Sequence, residues 1–270
     1  MPAEKFRIDY ALSLVNDFAP GGHEKGFARI ERHDVVEGLK QRVVDPSKQD
    51  QSAASLCGPA AFLYCVLEEH PEIYTQYVID LYKTGEGRLG RLHVKPSAGC
   101  RAYQPPPDKI HPVDWIAMAS LRDSENTLLD YSSANDTAAG ITMPHSLSAW
   151  FHKLGWVGVR NNTNIVFLKG RDEVNECVRN FTADHRVCLF INMQMLDPLK
   201  FARRSWTPDH WVVLTKQMNV QKDMISFGVY SWGQLLNIPR TGAYPLGGFY
   251  HNFYGYVSAV PTYGYGAKEQ

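Results

Sequence analysis

The chain has 270 residues, 44% of them apolar and 21% charged, a balance that excludes a disordered or fibrous protein. At this length roughly 70–75% of the unfolded surface is buried on folding, enough for one large domain or two small ones. Lys plus Arg and Asp plus Glu both count 28, so the net charge is zero and no global field draws the chain to nucleic acid or to an anionic membrane. No run of 18 apolar residues occurs, so no membrane span is expected.

The N-terminus, MPAEKFRIDYALSLVNDF, is interrupted by Glu4 and Asp9 and has no signal-peptide core. The five cysteines, Cys57, Cys65, Cys100, Cys177 and Cys188, form no CxxC pair, so neither a disulfide framework nor a structural zinc site is expected. The expected place is the cytoplasm of the producing cell, or outside it after export by a machine that reads no N-terminal signal.

A helix is expected over 10–18, ahead of the break at Pro20, Gly21 and Gly22, and the first fifty residues read as an N-terminal extension. The segment KQDQSAASLCGPAAFLYCVLEEH runs from a polar loop into a buried helix, whose first turn suits Pro59. A second helix follows from Pro71, with Ile73, Tyr74, Tyr77, Val78, Leu81 and Tyr82 on one face. Residues 85–112 are rich in Gly, Pro and Arg (Arg88, Arg91, Arg101, Pro105, Pro106, Pro107) and read as an insertion, a surface loop or a small hairpin. Helices resume over 113–122 and 146–154. Beyond Leu154, strands are expected at 165–168, 187–193, 211–215, 225–230 and 254–260, with one helix over 172–181. A helical first half and a strand-rich second half indicate an α+β fold.

Cys57 stands where the polar loop meets the buried helix, so free N–H groups and the helix dipole favour its thiolate. A depressed thiol pKa is what a cysteine nucleophile needs. Gln51, six residues earlier, carries an amide able to donate to an oxyanion beside the Cys57 N–H. Read singly, Cys57 is equally a small buried apolar residue. His210 opens the run HWVVL at the start of an expected central strand, placed to act as a base, and by itself it reads equally as a strand-end cap.

The element Gln51-x5-Cys57-Gly58-Pro59, followed far downstream by His210 in HWVVL, resembles the papain-like cysteine hydrolases, in particular bacteriocin-processing-type peptidases. The resemblance implies a single papain-like catalytic domain spanning the chain, a nucleophile helix packed on an antiparallel sheet, and Cys57 as nucleophile, Gln51 as oxyanion donor and His210 as general base. It implies a protein or peptide substrate, no cofactor and no metal. It further implies a bacterial effector or toxin opposed by a cognate inhibitor or immunity protein. The third triad position departs from the family. The run Tyr230-Ser231-Trp232-Gly233 echoes Asn-Ser-Trp-Gly with Tyr230 in the Asn column, and no carboxylate occurs between Asp223 and Glu269. Ser231, Gln234 or Tyr230 could accept the imidazole N–H, or the site could work as a dyad.

Three rival functions share these residues: a glutamine deamidase or transglutaminase-like enzyme, a peptidoglycan amidase, and a non-catalytic binding module. Trp206, Trp211 and Trp232 either line a substrate groove or fill core. The remaining candidates read as structural. His145 and His152 fall on one helix face and His111 precedes a helix, as surface or capping residues. Asp123, Glu125 and Asp130 read as a solvated acidic face. Gly85 to Gly90 has phosphate-loop spacing without the Gly-Lys-Ser/Thr ending, and YGYVSAVPTYGYG reads as an aromatic edge strand.

Overall fold

Ala11, Val15 and Phe18 recur at helical spacing, and in the computed structural model they form the buried stripe of α1 (Pro2–Phe18), which packs on two further helices. The structure describes all residues except Met1, His23, Glu24, Ala53, Pro107, 126–140, Ala183, Asp184 and 264–270, and the side chains of Pro2 and Ala3. It is α+β, 45% helical and 23% strand, and its sheets are antiparallel. Two compact units divide the chain: Met1–Met143 with Tyr230–Leu235, and Pro144–Val229 with Leu236–Gln270.

In the first unit the extension is part of the core. α1 packs against α2 (Arg32–Val44) and α4 (Pro71–Thr84), and α2 buries Val35, Val36, Leu39 and Val43. Between them in sequence, α3 (Cys57–Glu69) is buried almost all round, as expected of a helix whose sequence is apolar on every face. α4 buries Tyr74, Tyr77, Val78, Leu81 and Tyr82, and the hydroxyls of Tyr77 and Tyr82 donate to the carbonyls of Ala117 (2.8 Å) and Ile30 (3.2 Å). Gly85 ends α4 in the left-handed region (φ 81°), and its N–H returns to Leu81 O at 2.8 Å.

The Gly/Pro/Arg segment is a hairpin followed by a short helix. β1 (Gly87–Leu89) pairs with β2 (Leu92–Val94), and α5 (Ala98–Ala102) follows with Ser97 as its cap. The glycine spacing from Gly85 to Gly90 therefore serves a helix end and a hairpin turn. The helix expected over 113–122 starts at α6 (Pro112–Asp114), widens to a π segment over Trp115–Ala119, and continues as α7 (Ser120–Glu125). Asp123 is not on a solvated face: it is buried and accepts the Ser97 N–H. Asp130 lies outside the described residues, as do Pro107 and Gly264.

The second unit begins with α8 (Pro144–Leu154), which buries Leu147, Trp150, Phe151 and Leu154. Its sheet is built from β3 (Val157–Thr163), β4 (Arg186–Ile191), β5 (His210–Gln221), β6 (Met224–Ser231), β7 (Gln234–Ile238), the two-residue β8 (Tyr244–Pro245) and β9 (Phe253–Val260), the last two residues of β6 and the first two of β7 being counted with the first unit. The order is β3-β9-β4-β5-β6-β7, with β8 added beside β6. α9 (Arg171–Asn180) covers it through Val174 and Cys177, and α10 (Leu246–Tyr250) contributes Phe249.

Two sequence expectations change here. β9, which contains most of the YGYVSAVP run, lies between β3 and β4 and is not an edge strand; Tyr254 and Tyr256 are fully buried. Gly255 makes this placement possible. It sits at φ 113°, and a Cβ there would stand 2.0 Å from Asn162 O of β3. Residues 165–168 are not a strand. Asn164 Oδ1 accepts the N–H groups of Val166 (2.7 Å) and Phe167 (2.8 Å), an Asx turn that closes the backbone locally and leaves Ile165, Val166 and Phe167 exposed. Among the described residues no helix is long and apolar enough to cross a membrane.

Candidate functional site

Cys57 is the first residue of α3, preceded by Leu56, whose side chain caps nothing. The first intrahelical bond comes from Ala60 N to Leu56 O (2.8 Å). Helix geometry leaves the N–H groups of Cys57 and Gly58 without intrahelical acceptors, and Pro59 has none to satisfy. Positive potential therefore gathers at the end of the helix that carries the sulfur. Gly58 is required by packing, since a Cβ there would fall 2.3 Å from Thr142 Oγ1. None of the five cysteines is in a disulfide, and all are buried, Cys57 with 6% of its surface open.

The loop before Cys57 is held at both ends. Gln51 Nε2 donates to Ala54 O (3.1 Å) and Ala54 N donates to Gln51 O (3.0 Å), which closes a tight turn. One Gln51 amide proton is taken by Ala54 O, and the amide carries two. Asp50 accepts from Ser52 N (2.7 Å), with Ser52 at φ 49°. Upstream, Asp50 N donates to Asp114 Oδ2 (3.1 Å). Asp114 is wholly buried and receives both Arg42 Nε (2.8 Å) and Arg42 Nη2 (2.6 Å), a bidentate pair. The Asp114 carboxylate holds the Arg42 guanidinium charged, above its ordinary value despite burial. On the other side the Tyr230 hydroxyl donates to Gln49 O, and its ring stacks on Tyr64 at 3.9 Å. Gln49 Nε2 donates to Ala60 O of α3 (2.8 Å). Residues 49–51 are thus clamped between a buried ion pair and a tyrosine stack.

Of the residues considered for the third position, Tyr230 uses its hydroxyl proton on the Gln49 carbonyl. Ser231 is buried at the end of β6, and Gln234 is exposed. Trp232 (φ 48°) and Gly233 (φ 67°) form a two-residue left-handed turn between β6 and β7, as primed hairpin turns require. Gly233 packs so closely that an added Cβ would come within 2.8 Å of Asp50 Cβ. Cys57, Gln51 and Ser231 all belong to the first unit.

His210 belongs to the second unit, where it is the first residue of β5 and pairs with Ile191 of β4. It is buried, and burial pushes its imidazole down to about 3, so the ring is neutral at neutral pH and can accept a proton. The strand start is fixed by Asp209, which accepts from Met193 N (2.7 Å) and Asn192 Nδ2 (3.1 Å), and whose own N–H donates to Ile191 O (3.0 Å). Burial raises the Asp209 carboxyl, and the Met193 hydrogen bond works against that rise. Next to His210, Trp211 is core and stacks on Phe190 at 4.4 Å, whereas Trp206 is exposed.

Three other histidines considered from the sequence are capping or surface residues. His111 Nδ1 accepts from Val113 N (3.3 Å) as the cap of α6, and His145 and His152 are exposed on α8. Among the described residues no three His, Cys, Asp or Glu side chains gather as metal ligands.

Sequence reasoning missed Arg42, Asp114, Asp50 and the bracing role of Tyr230. A signal existed at Arg42, which interrupts the apolar stripe Val35, Val36, Leu39, Val43 of α2 and therefore needs a buried counter-charge. Against protein-family models, curated proteins and solved structures, the chain has no match.

Proposed function

We propose that the protein is a papain-like, cysteine-dependent amide hydrolase. The Cys57 sulfur attacks the amide carbonyl, the Cys57 N–H and the second Gln51 amide proton receive the oxyanion, and His210 takes the thiol proton and passes it to the leaving amine. Water, deprotonated by the same imidazole, then hydrolyses the thioester and returns the thiol. The observation that carries this reading is the head of α3: a cysteine on the first residue of a buried helix, preceded by a loop clamped on both sides in which Gln51 is tied to Ala54. The His210 imidazole is neutral at neutral pH, the protonation state a general base starts from, although burial makes it a weaker base.

The test is incubation of wild type and Cys57→Ala with casein and with a glutamine-containing peptide, following new amino termini and released ammonia. Wild type is expected to generate one or both products, and Cys57→Ala to lose roughly a thousandfold or more of the rate. New amino termini identify a peptidase, and ammonia without chain cleavage identifies the deamidase. Equal rates in the two proteins would contradict the reading.

A further inference from the structure

The segment connecting β4 to β5 displays large apolar and cationic side chains on a backbone anchored from within. Leu199 is 88% exposed and Trp206 is 81% exposed. Lys200, Arg203 and Arg204 are exposed beside them; Lys200 is paired with Asp197 (3.0 Å), and residues 198–206 contain no carboxylate. The Arg204 guanidinium lies 5.6 Å from the centroid of the Trp206 ring, a cation–π arrangement that orients both.

The anchoring is extensive. Asn252, wholly buried, donates through Nδ2 to Phe201 O (2.9 Å), Arg203 O (3.1 Å) and Gly248 O (3.2 Å). Ser205, between the exposed Arg204 and Trp206, points inward; its N–H and its hydroxyl both donate to His251 O at 2.9 Å. His251 Nδ1 meets Ala202 O at 2.9 Å. These bonds fix the loop backbone from within, so binding would cost little ordering of it. Trp and Arg are also the side chains that concentrate binding energy at protein interfaces.

We propose that residues 199–206 form a preorganised docking surface for an acidic peptide segment bearing aliphatic side chains. Arg203 and Arg204 select carboxylates, and Leu199 and Trp206 offer apolar area that phosphate-rich nucleic acid would not use. This surface is independent of the hydrolase reading and stands whether or not Cys57 is a nucleophile.

The experiment is fluorescence anisotropy at low salt with a fluorescein-labelled octapeptide of alternating Glu and Leu. An octapeptide of alternating Lys and Leu and an oligouridylate serve as rivals. The Glu-Leu peptide is expected to bind wild type, and to bind more weakly as salt is raised. Trp206→Ala and the double variant Arg203→Ala/Arg204→Ala are each expected to weaken it by about tenfold or more. These positions are exposed, so both variants should keep the wild-type melting temperature and circular dichroism spectrum. Equal affinity in wild type and variants, no binding of the acidic peptide, or preference for the Lys-Leu peptide or the oligouridylate would overturn the proposal.

Discussion

Asp114→Ala is expected to destabilise the protein by about 3–5 kcal/mol, the usual cost of leaving one member of a buried ion pair alone. Arg42 would remain inside α2 with its bidentate acceptor gone, and the Asp50 N–H would lose its own. The measurement is the urea midpoint by intrinsic fluorescence. Replacing the pair together, Arg42→Met with Asp114→Leu, removes both charges and should recover most of the loss. If the single and double variants are equally unstable, the charge pair is not what Asp114 contributes. The double variant has a second use. It retains helix packing but frees residues 49–51 from one side of their clamp, so it should impair the chemistry at Cys57 more than the fold.

Acid should unfold wild type more readily than a variant without His210. The imidazole is held at about 3 by burial, below the ordinary 6.5 of the unfolded chain. A group whose folded value is depressed contributes its full stability above the unfolded value, and loses it as pH falls from 6.5 towards 3, because the unfolded chain takes up the proton first. Over that whole window the loss is on the order of 5 kcal/mol, of which roughly 3 kcal/mol accrues by pH 4. Urea midpoints at pH 7 and pH 4 for wild type and His210→Gln provide the comparison. The drop between the two pH values should be larger for wild type by about that 3 kcal/mol. Parallel drops would mean that the imidazole is not buried as neutral.

The α+β class and most of its elements were legible in the sequence because they rest on local patterns. The helical spacing of Tyr74, Tyr77, Val78 and Leu81 needs no partner to be read, and neither do the β-branched runs of β5 and β6. What was hidden depends on distant residues. Arg42 and Asp114 are 72 positions apart, and no local pattern in 112–125 announces that Asp114 is the acceptor for Arg42. The helix α2 was missed because Gly38 and Arg42 sit in its buried stripe: Gly38 makes room for His111 and Val113, and Arg42 is neutralised by Asp114. At 165–168 the apolar run suggested a strand, but one Asn side chain redirected the backbone into a turn. For the candidate site, Cys57, Gln51 and His210 were visible as residue types in a spacing. The Tyr230 brace was not, since a tyrosine in an aromatic strand looks like any other core side chain until its hydroxyl is seen to meet Gln49 O.

The central claim is that Cys57 is a nucleophile activated by His210, and it is tested most directly by the rate of iodoacetamide alkylation at pH 7. Wild type and His210→Ala are compared, with mass spectrometry assigning the modified cysteine. Cys57 should react ahead of the other four cysteines in wild type and slow by about tenfold or more when the imidazole is removed. A Cys57 rate that is indifferent to His210, and that rises only as pH approaches the free-thiol value of about 8.5, would contradict the account.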